Sequence, residues 1–171
     1  MNRSQPIAGV VPLTEDEVHL TTVWPSLCYF ALGRWLGRLY AIRWPNLFIF
    51  RLGHCIAGLC IPIALNLYLM RVGPVTAVRY VLTSRRIRVL RGMKQKEQKS
   101  LSFDRFDEIR VVVREGQEWY HAGDLIFYQN NVETFRLEAV SRPEIFRRTC
   151  LEARTAYLAT KKALEEQGSA A

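Results

Sequence analysis

The longest apolar run in the chain is Leu52 to Met70, LGHCIAGLCIPIALNLYLM, with no Asp, Glu, Lys or Arg among its 19 residues. At about 1.5 Å per residue a helix of that length crosses about 30 Å of hydrocarbon. The run therefore predicts a transmembrane helix over residues 47–71. Pro62 removes a backbone donor midway and predicts a kink. His54 and Asn66 are its strongly polar side chains. They read as snorkelling or helix–helix hydrogen-bonding groups, because no second ionisable partner lies in the segment.

A second stretch, Trp24 to Trp44, mixes apolar residues with Arg34 and Arg38 at i, i+4 spacing. Two readings stand side by side. It forms the first arm of a membrane hairpin turning at Trp44-Pro45-Asn46, or it lies in the headgroup region as an interfacial helix. The cost of an arginine at a helix centre, about 2.5–3.5 kcal/mol, favours the second. The proline turn and terminal tryptophans favour the first. Gly33, Gly37, Gly53, Ala57 and Gly58 are small enough to allow close helix approach.

After Gly73-Pro74 the hydrophobic period shifts from 3.6 to 2. Val78, Tyr80 and Leu82 alternate with Arg79 and Val81, and Ile87 and Val89 with Arg86 and Arg88. Leu101 and Phe103, then Ile109, Val111 and Val113, then the run Leu125–Tyr128, then Phe135 and Leu137 continue the pattern. This predicts six short strands, with Asn130-Asn131 as a two-residue turn. Ser141 and Glu144 then form a capping box with Pro143 in the first turn. Phe146, Cys150, Ala153 and Tyr157 recur at helical spacing and predict a helix that covers the sheet.

Charge sharpens this layout. The net formal charge is +8, and 49% of the residues are hydrophobic, which excludes a disordered chain. Ten glycines exclude collagen, and four cysteines are too few for a disulfide framework. Residues 71–101 carry nine basic groups against Glu97 alone, so the whole excess sits in that stretch. Basic residues just after an apolar helix place that side in the cytoplasm by the positive-inside rule. The cysteines lack metal-ligand spacing and fit a reducing compartment.

The expected organisation is a lead-in over 1–23, a membrane region over 24–72, a cytoplasmic domain over 75–162 and a disordered tail over 163–171. The fold class is an α+β membrane protein: a transmembrane helix or hairpin, then a small, partly open β-barrel or sandwich capped by a C-terminal helix. Tyr80-Val-Leu-Thr83-Ser-Arg85-Arg86-Ile87, Gly92, the Phe103–Val113 segment, Ala122-Gly123-Asp124-Leu-Ile-Phe and the capped helix together resemble the bacterial pleckstrin-homology-like domain. The Glu15–Ser26 lead-in resembles the one such proteins place before their membrane helices. The resemblance covers roughly residues 14–160 and implies a binding fold without catalytic residues, in a protein of the bacterial inner membrane.

No phosphate loop, HExxH or CxxC pair is present, so no enzyme, cofactor or metal is expected. His121 beside Trp119, Tyr120 and Asp124 reads as a packed hairpin end, and Asp104, Asp107 and Glu108 as a solvated turn. The remaining chemistry is cationic. A first strand leaving the membrane near residue 76 carries Arg85, Arg86 and Arg88 away from it, towards a protein partner or another subunit. The returning end brings Arg91, Lys94, Lys96 and Lys99 back to anionic headgroups, each worth about 1 kcal/mol. The expected function is a membrane-anchored, non-catalytic binding or scaffold module contacting anionic lipid, a protein partner or its own copies. The alternative is an accessory subunit of a larger membrane complex. Nucleic acid is not expected, because membrane tethering accounts for the basic flank.

Overall fold

The computed structural model describes residues 17–41, 46–47, 50–51, 58–73, 77–92 and 94–169. The alternating segments fold as two antiparallel sheets. Strand β1 (His19–Val23) pairs with β4 (Val78–Thr83), which pairs with β5 (Arg86–Arg91), which pairs with β6 (Lys96–Ser102). The second sheet orders β7 (Glu108–Val112), β8 (Ala122–Gln129) and β9 (Val132–Ser141). Two short strands, β2 (Asn46–Leu47) and β3 (Phe50–Arg51), pair with each other.

Strand parity builds the core. Val78, Tyr80 and Leu82 point inward with Ile87 and Val89, and meet Ile109, Leu125, Phe127 and Leu137 from the second sheet. Phe103, Phe106 and Phe127 are fully buried and stack edge to face at 5.1–6.2 Å. Burying one such ring contributes about 1.5–3 kcal/mol. The Asn130-Asn131 turn has φ of 51° and 63°, as a tight primed hairpin requires. Helix α3 (Pro143–Ser169) closes the sandwich with Phe146 and Cys150 buried and Ala153 and Tyr157 packed beside them. The tail expected from residue 163 is helical as far as Ser169.

The membrane architecture is overturned. Among the described residues no helix is long and apolar enough to cross a membrane. The second expected span contains β2, β3 and helix α2 (Ile61–Val72). The 12 residues of α2 reach only about 18 Å, against about 30 Å of hydrocarbon. The Trp44-Pro45 turn, Gly53, His54, Cys55 and Ala57 lie outside the described residues.

The first expected span folds onto the sandwich instead. Pro25 bridges Val140, and the Ser26 N–H donates to the Ala139 carbonyl at 2.7 Å. A 3-10 turn over Leu27–Tyr29 then leads into the ten-residue helix α1 (Ala31–Tyr40). Its Gly33, Leu36, Gly37 and Tyr40 are buried. A Cβ on Gly33 would stand 2.1 Å from the Leu27 carbonyl oxygen, and one on Gly37 2.0 Å from that of Gly116. Gly33 and Gly37, read as permitting helix–helix approach in a bilayer, serve backbone contacts within this chain, while a Cβ on Gly58 would have nothing within 4 Å. Arg38 is likewise paired with Glu115 at 3.4 Å.

Candidate functional site

Two groups of cations stand out among the described residues, while Arg34, Arg105 and Arg142 belong to neither and have no ion pair among those residues. In the first group each cation has an acid beside it. Arg110 pairs with Glu108, Arg136 with Glu133, Arg148 with Glu152 and Lys161 with Asp104. Arg86 and Arg88 belong to this group. Arg86 Nε donates to Glu17, and Arg88 Nε donates to Glu97 at 2.6 Å. Longer contacts, Arg86–Glu97 at 3.5 Å and Arg88–Glu17 at 3.8 Å, close a neutral square of two arginines and two glutamates.

That square lies on the outer face of the first sheet, because Ile87 between the two arginines points inward. The hydrogen bond to Glu17 holds Arg86 above the usual guanidinium range. Burial pushes Glu97 up, but hydrogen bonds from Ser100 and Arg88 and the two guanidinium charges outweigh it, and its carboxyl rests below the usual range. Arg85 is exposed at the Thr83–Arg86 turn, which Thr83 Oγ1 fastens by donating to the Arg86 carbonyl at 2.8 Å. Of the residues expected to meet a protein partner, two are therefore neutralised within the chain.

The second group behaves differently. Arg91, Lys94, Lys96 and Lys99 are all exposed, and none has an ion pair among the described residues. Arg91 and Lys96 face each other directly across the β5–β6 ladder. Like charges in that position are destabilising. The Gly92 N–H donates to the Ala77 carbonyl at 2.8 Å, and the Ala77 N–H donates to the Gly73 carbonyl at 3.0 Å. This short chain of backbone bonds holds the basic hairpin end beside the C-terminus of α2. Arg71 on the last turn of α2 and Arg79 on β4 join the group, also without an acidic partner among the described residues.

Helix α2 gives this end an apolar companion. Among its described side chains the stripe Cys60, Ala64, Leu67 and Arg71 turns from solvent, and Leu67 packs on Leu36 and Tyr40 of α1. Ile61, Ile63, Leu65, Tyr68 and Leu69 are all exposed, Leu69 to 62%. Leu32 and Trp35 add an exposed apolar edge on α1. A helix apolar on nearly every side is one built to be covered.

The other residues weighed for chemistry have structural partners. Asp104 accepts from Tyr157 and Lys161, Asp107 accepts from the Asn130 N–H, and Glu108 accepts from Arg110. His121 is exposed with φ of 48°, and its carbonyl accepts from the Arg142 N–H. Trp119 stacks on Tyr40 of α1 at 5.5 Å. Asp124 is fully buried, where it accepts from Gln117 at 2.7 Å and from the Ala139 N–H at 2.9 Å.

Sequence reasoning placed Arg71 and Arg79 in the basic flank that sets orientation, not among binding residues, and did not find the clamp formed by Glu17. The spacing of Arg79 from Arg91 becomes informative only once the β4–β5 register opposes Val78 to Arg91 and Arg79 to Leu90. Comparison with protein-family profiles and with curated proteins finds no match for the chain.

Proposed function

We propose that this protein is a non-catalytic binding module that seats on an anionic lipid surface. The observation that carries the reading is the gathering of acid-free cations where the exposed apolar helix ends. Hydrocarbon would cover Leu65 and Leu69, and phosphates would take Arg91, Lys94, Lys96 and Lys99. Seating of this kind is peripheral: an 18 Å helix, about half the hydrocarbon thickness, lies in the interface. A two-sheet sandwich closed by a C-terminal helix supports the bacterial pleckstrin-homology-like resemblance as part of the same proposal. A cytoplasmic-facing membrane surface is the place such a module would work.

Vesicles test the reading. The full chain is expected to bind phosphatidylcholine vesicles containing phosphatidylglycerol, and to bind pure phosphatidylcholine weakly. Three cations at about 1 kcal/mol each predict that Lys94→Gln, Lys96→Gln and Lys99→Gln together lower affinity on the order of a hundredfold. Leu65→Ser with Leu69→Ser should weaken binding to both vesicle types. Equal binding to charged and neutral vesicles would overturn the electrostatic half. Absence of vesicle binding, with the chain recovered in a defined larger assembly in mild detergent, would replace lipid by a protein partner, the accessory-subunit reading.

A further inference from the structure

Arg79 is unlike the other arginines on its sheet face. Its guanidinium lies over the Trp24 ring, 4.5 Å from the centroid. Its Nε is buried and has no hydrogen-bond partner among the described residues. On the same outer face Arg86 and Arg88 each donate Nε to a glutamate oxygen. Glu97, whose strand position opposes Leu90 in the rung of Arg79, turns its oxygens to Arg88 and Arg86 instead. Arg79 thus holds its guanidinium against an aromatic ring with no acidic partner among the described residues.

Its place in the fold suggests what would supply one. Arg79 and Arg91 occupy the last two rungs of the β4–β5 ladder, next to the Ala77–Gly92 bond at the end of α2. Val78 points into the core, so Arg79 faces outward, while Arg91 opposes Val78 on the other face. The two arginines therefore bracket the sheet end that the proposed function turns to lipid. A guanidinium held over an aromatic ring presents its donors in a fixed arrangement, a match for two oxygens of one phosphate. A terminal phosphate suits it better than a diester, since it offers three acceptor oxygens and up to two charges.

We infer that Arg79, held on Trp24, is a binding site for a phosphomonoester group. The inference rests on the lipid-surface reading for the approach of its ligand, and on the Arg79–Trp24 geometry for its chemistry. The phosphate belongs either to a lipid such as phosphatidic acid or to a soluble molecule.

The experiment uses the full chain with three probes. These are vesicles containing phosphatidic acid, vesicles containing phosphatidylglycerol at matched surface charge, and inorganic phosphate in solution. The phosphatidic acid vesicles are expected to bind about tenfold more tightly, the equivalent of one charge-assisted hydrogen bond. Arg79→Lys keeps the charge and loses the fork, so it should abolish the preference and bring phosphatidic acid binding down to the level of phosphatidylglycerol binding. Trp24→Leu should act in the same direction. Inorganic phosphate should shift the Arg79 Nε–Hε resonance of the wild-type chain. A shift without vesicle preference assigns the site to a soluble phosphate. Preference retained in Arg79→Lys, or neither preference nor shift in the wild type, overturns the site. If no vesicle binds at all, the lipid reading fails and the resonance alone decides the site.

Discussion

Gly37 of α1 and Gly116 of the β7–β8 connection meet backbone to backbone, so close that a Cβ on Gly37 would lie 2.0 Å from the Gly116 carbonyl oxygen. Gly116 itself has φ of +82°, and a Cβ there would strike the Arg34 carbonyl at 2.2 Å. This is the seat of α1 on the sandwich. Neither side can yield, because both contacting groups are main chain. Gly37→Ala should therefore destabilise by about 1–3 kcal/mol or more, the usual cost of overpacking. Gly58 has nothing within 4 Å, so Gly58→Ala should stay within about 0.5 kcal/mol of the parent. Urea denaturation of the two variants checks the contrast. Equal stabilities would mean that α1 is not seated on the loop.

Asp124 anchors the other side of the same region. Its Oδ1 takes both the Gln117 amide and the Ala139 N–H, while Gln117 Oε1 accepts from the Arg114 N–H at 2.8 Å. Its Oδ2 lies 2.7 Å from the Arg114 guanidinium, an ion pair. Ala139 has φ of 52°, a costly conformation for a residue with a Cβ, and the carboxylate holds it there. Asp124→Ala strands two buried donors at about 1–3 kcal/mol each. Thermal denaturation should show that loss, and Asp124→Asn should recover part of it, since its remaining carbonyl oxygen still accepts.

The β-domain was legible because alternation survives as burial. Val78, Tyr80, Leu82, Ile87 and Val89 all reach the core as their period demanded. The stripe of α3 was legible for the same reason. Helix α1 was not, because its determinant is the absence of side chains at Gly33 and Gly37, which fits close packing against any backbone. Hydropathy could not tell a bilayer from the loop at Gly116. Helix α2 misled in a different way, since apolar residues on every side describe a segment that needs covering without saying how much of it is helix. The basic site was half legible. Composition located Arg91, Lys94, Lys96 and Lys99, but only the folded sheet shows which cations already have acids: Glu17 lies 69 positions from Arg86.

The glutamate square makes stability depend on pH, and the sign follows from Glu97. Its folded pKa lies below the ordinary value of 4.5, so the folded chain binds fewer protons than the unfolded one near that pH. The contribution is complete above the unfolded value and is lost as pH falls through the folded one. Both partners are partly solvated, so the square is worth about 0.5–1 kcal/mol. Glu97→Gln should be less stable than the parent by about that amount at pH 7. The gap should close as pH falls below 4.5, measured by urea denaturation across a pH series. A gap constant with pH would assign the effect to packing rather than charge.

Lys96 separates stability from binding most cleanly, because the two should move in opposite directions. In the free chain it faces Arg91 across the ladder, with no acid beside either among the described residues. Lys96→Glu converts that repulsion into a cross-strand ion pair and should raise stability by about 0.2–1 kcal/mol. At a lipid surface the same change removes one positive charge and adds a negative one. At about 1 kcal/mol per charge it should weaken binding to phosphatidylglycerol vesicles by about thirtyfold. A variant that is both more stable and a poorer binder identifies Lys96 as a residue kept against the interest of the fold. A more stable variant with unchanged vesicle binding would show that the hairpin end does not face lipid, and would leave the apolar surface of α2 to a protein partner.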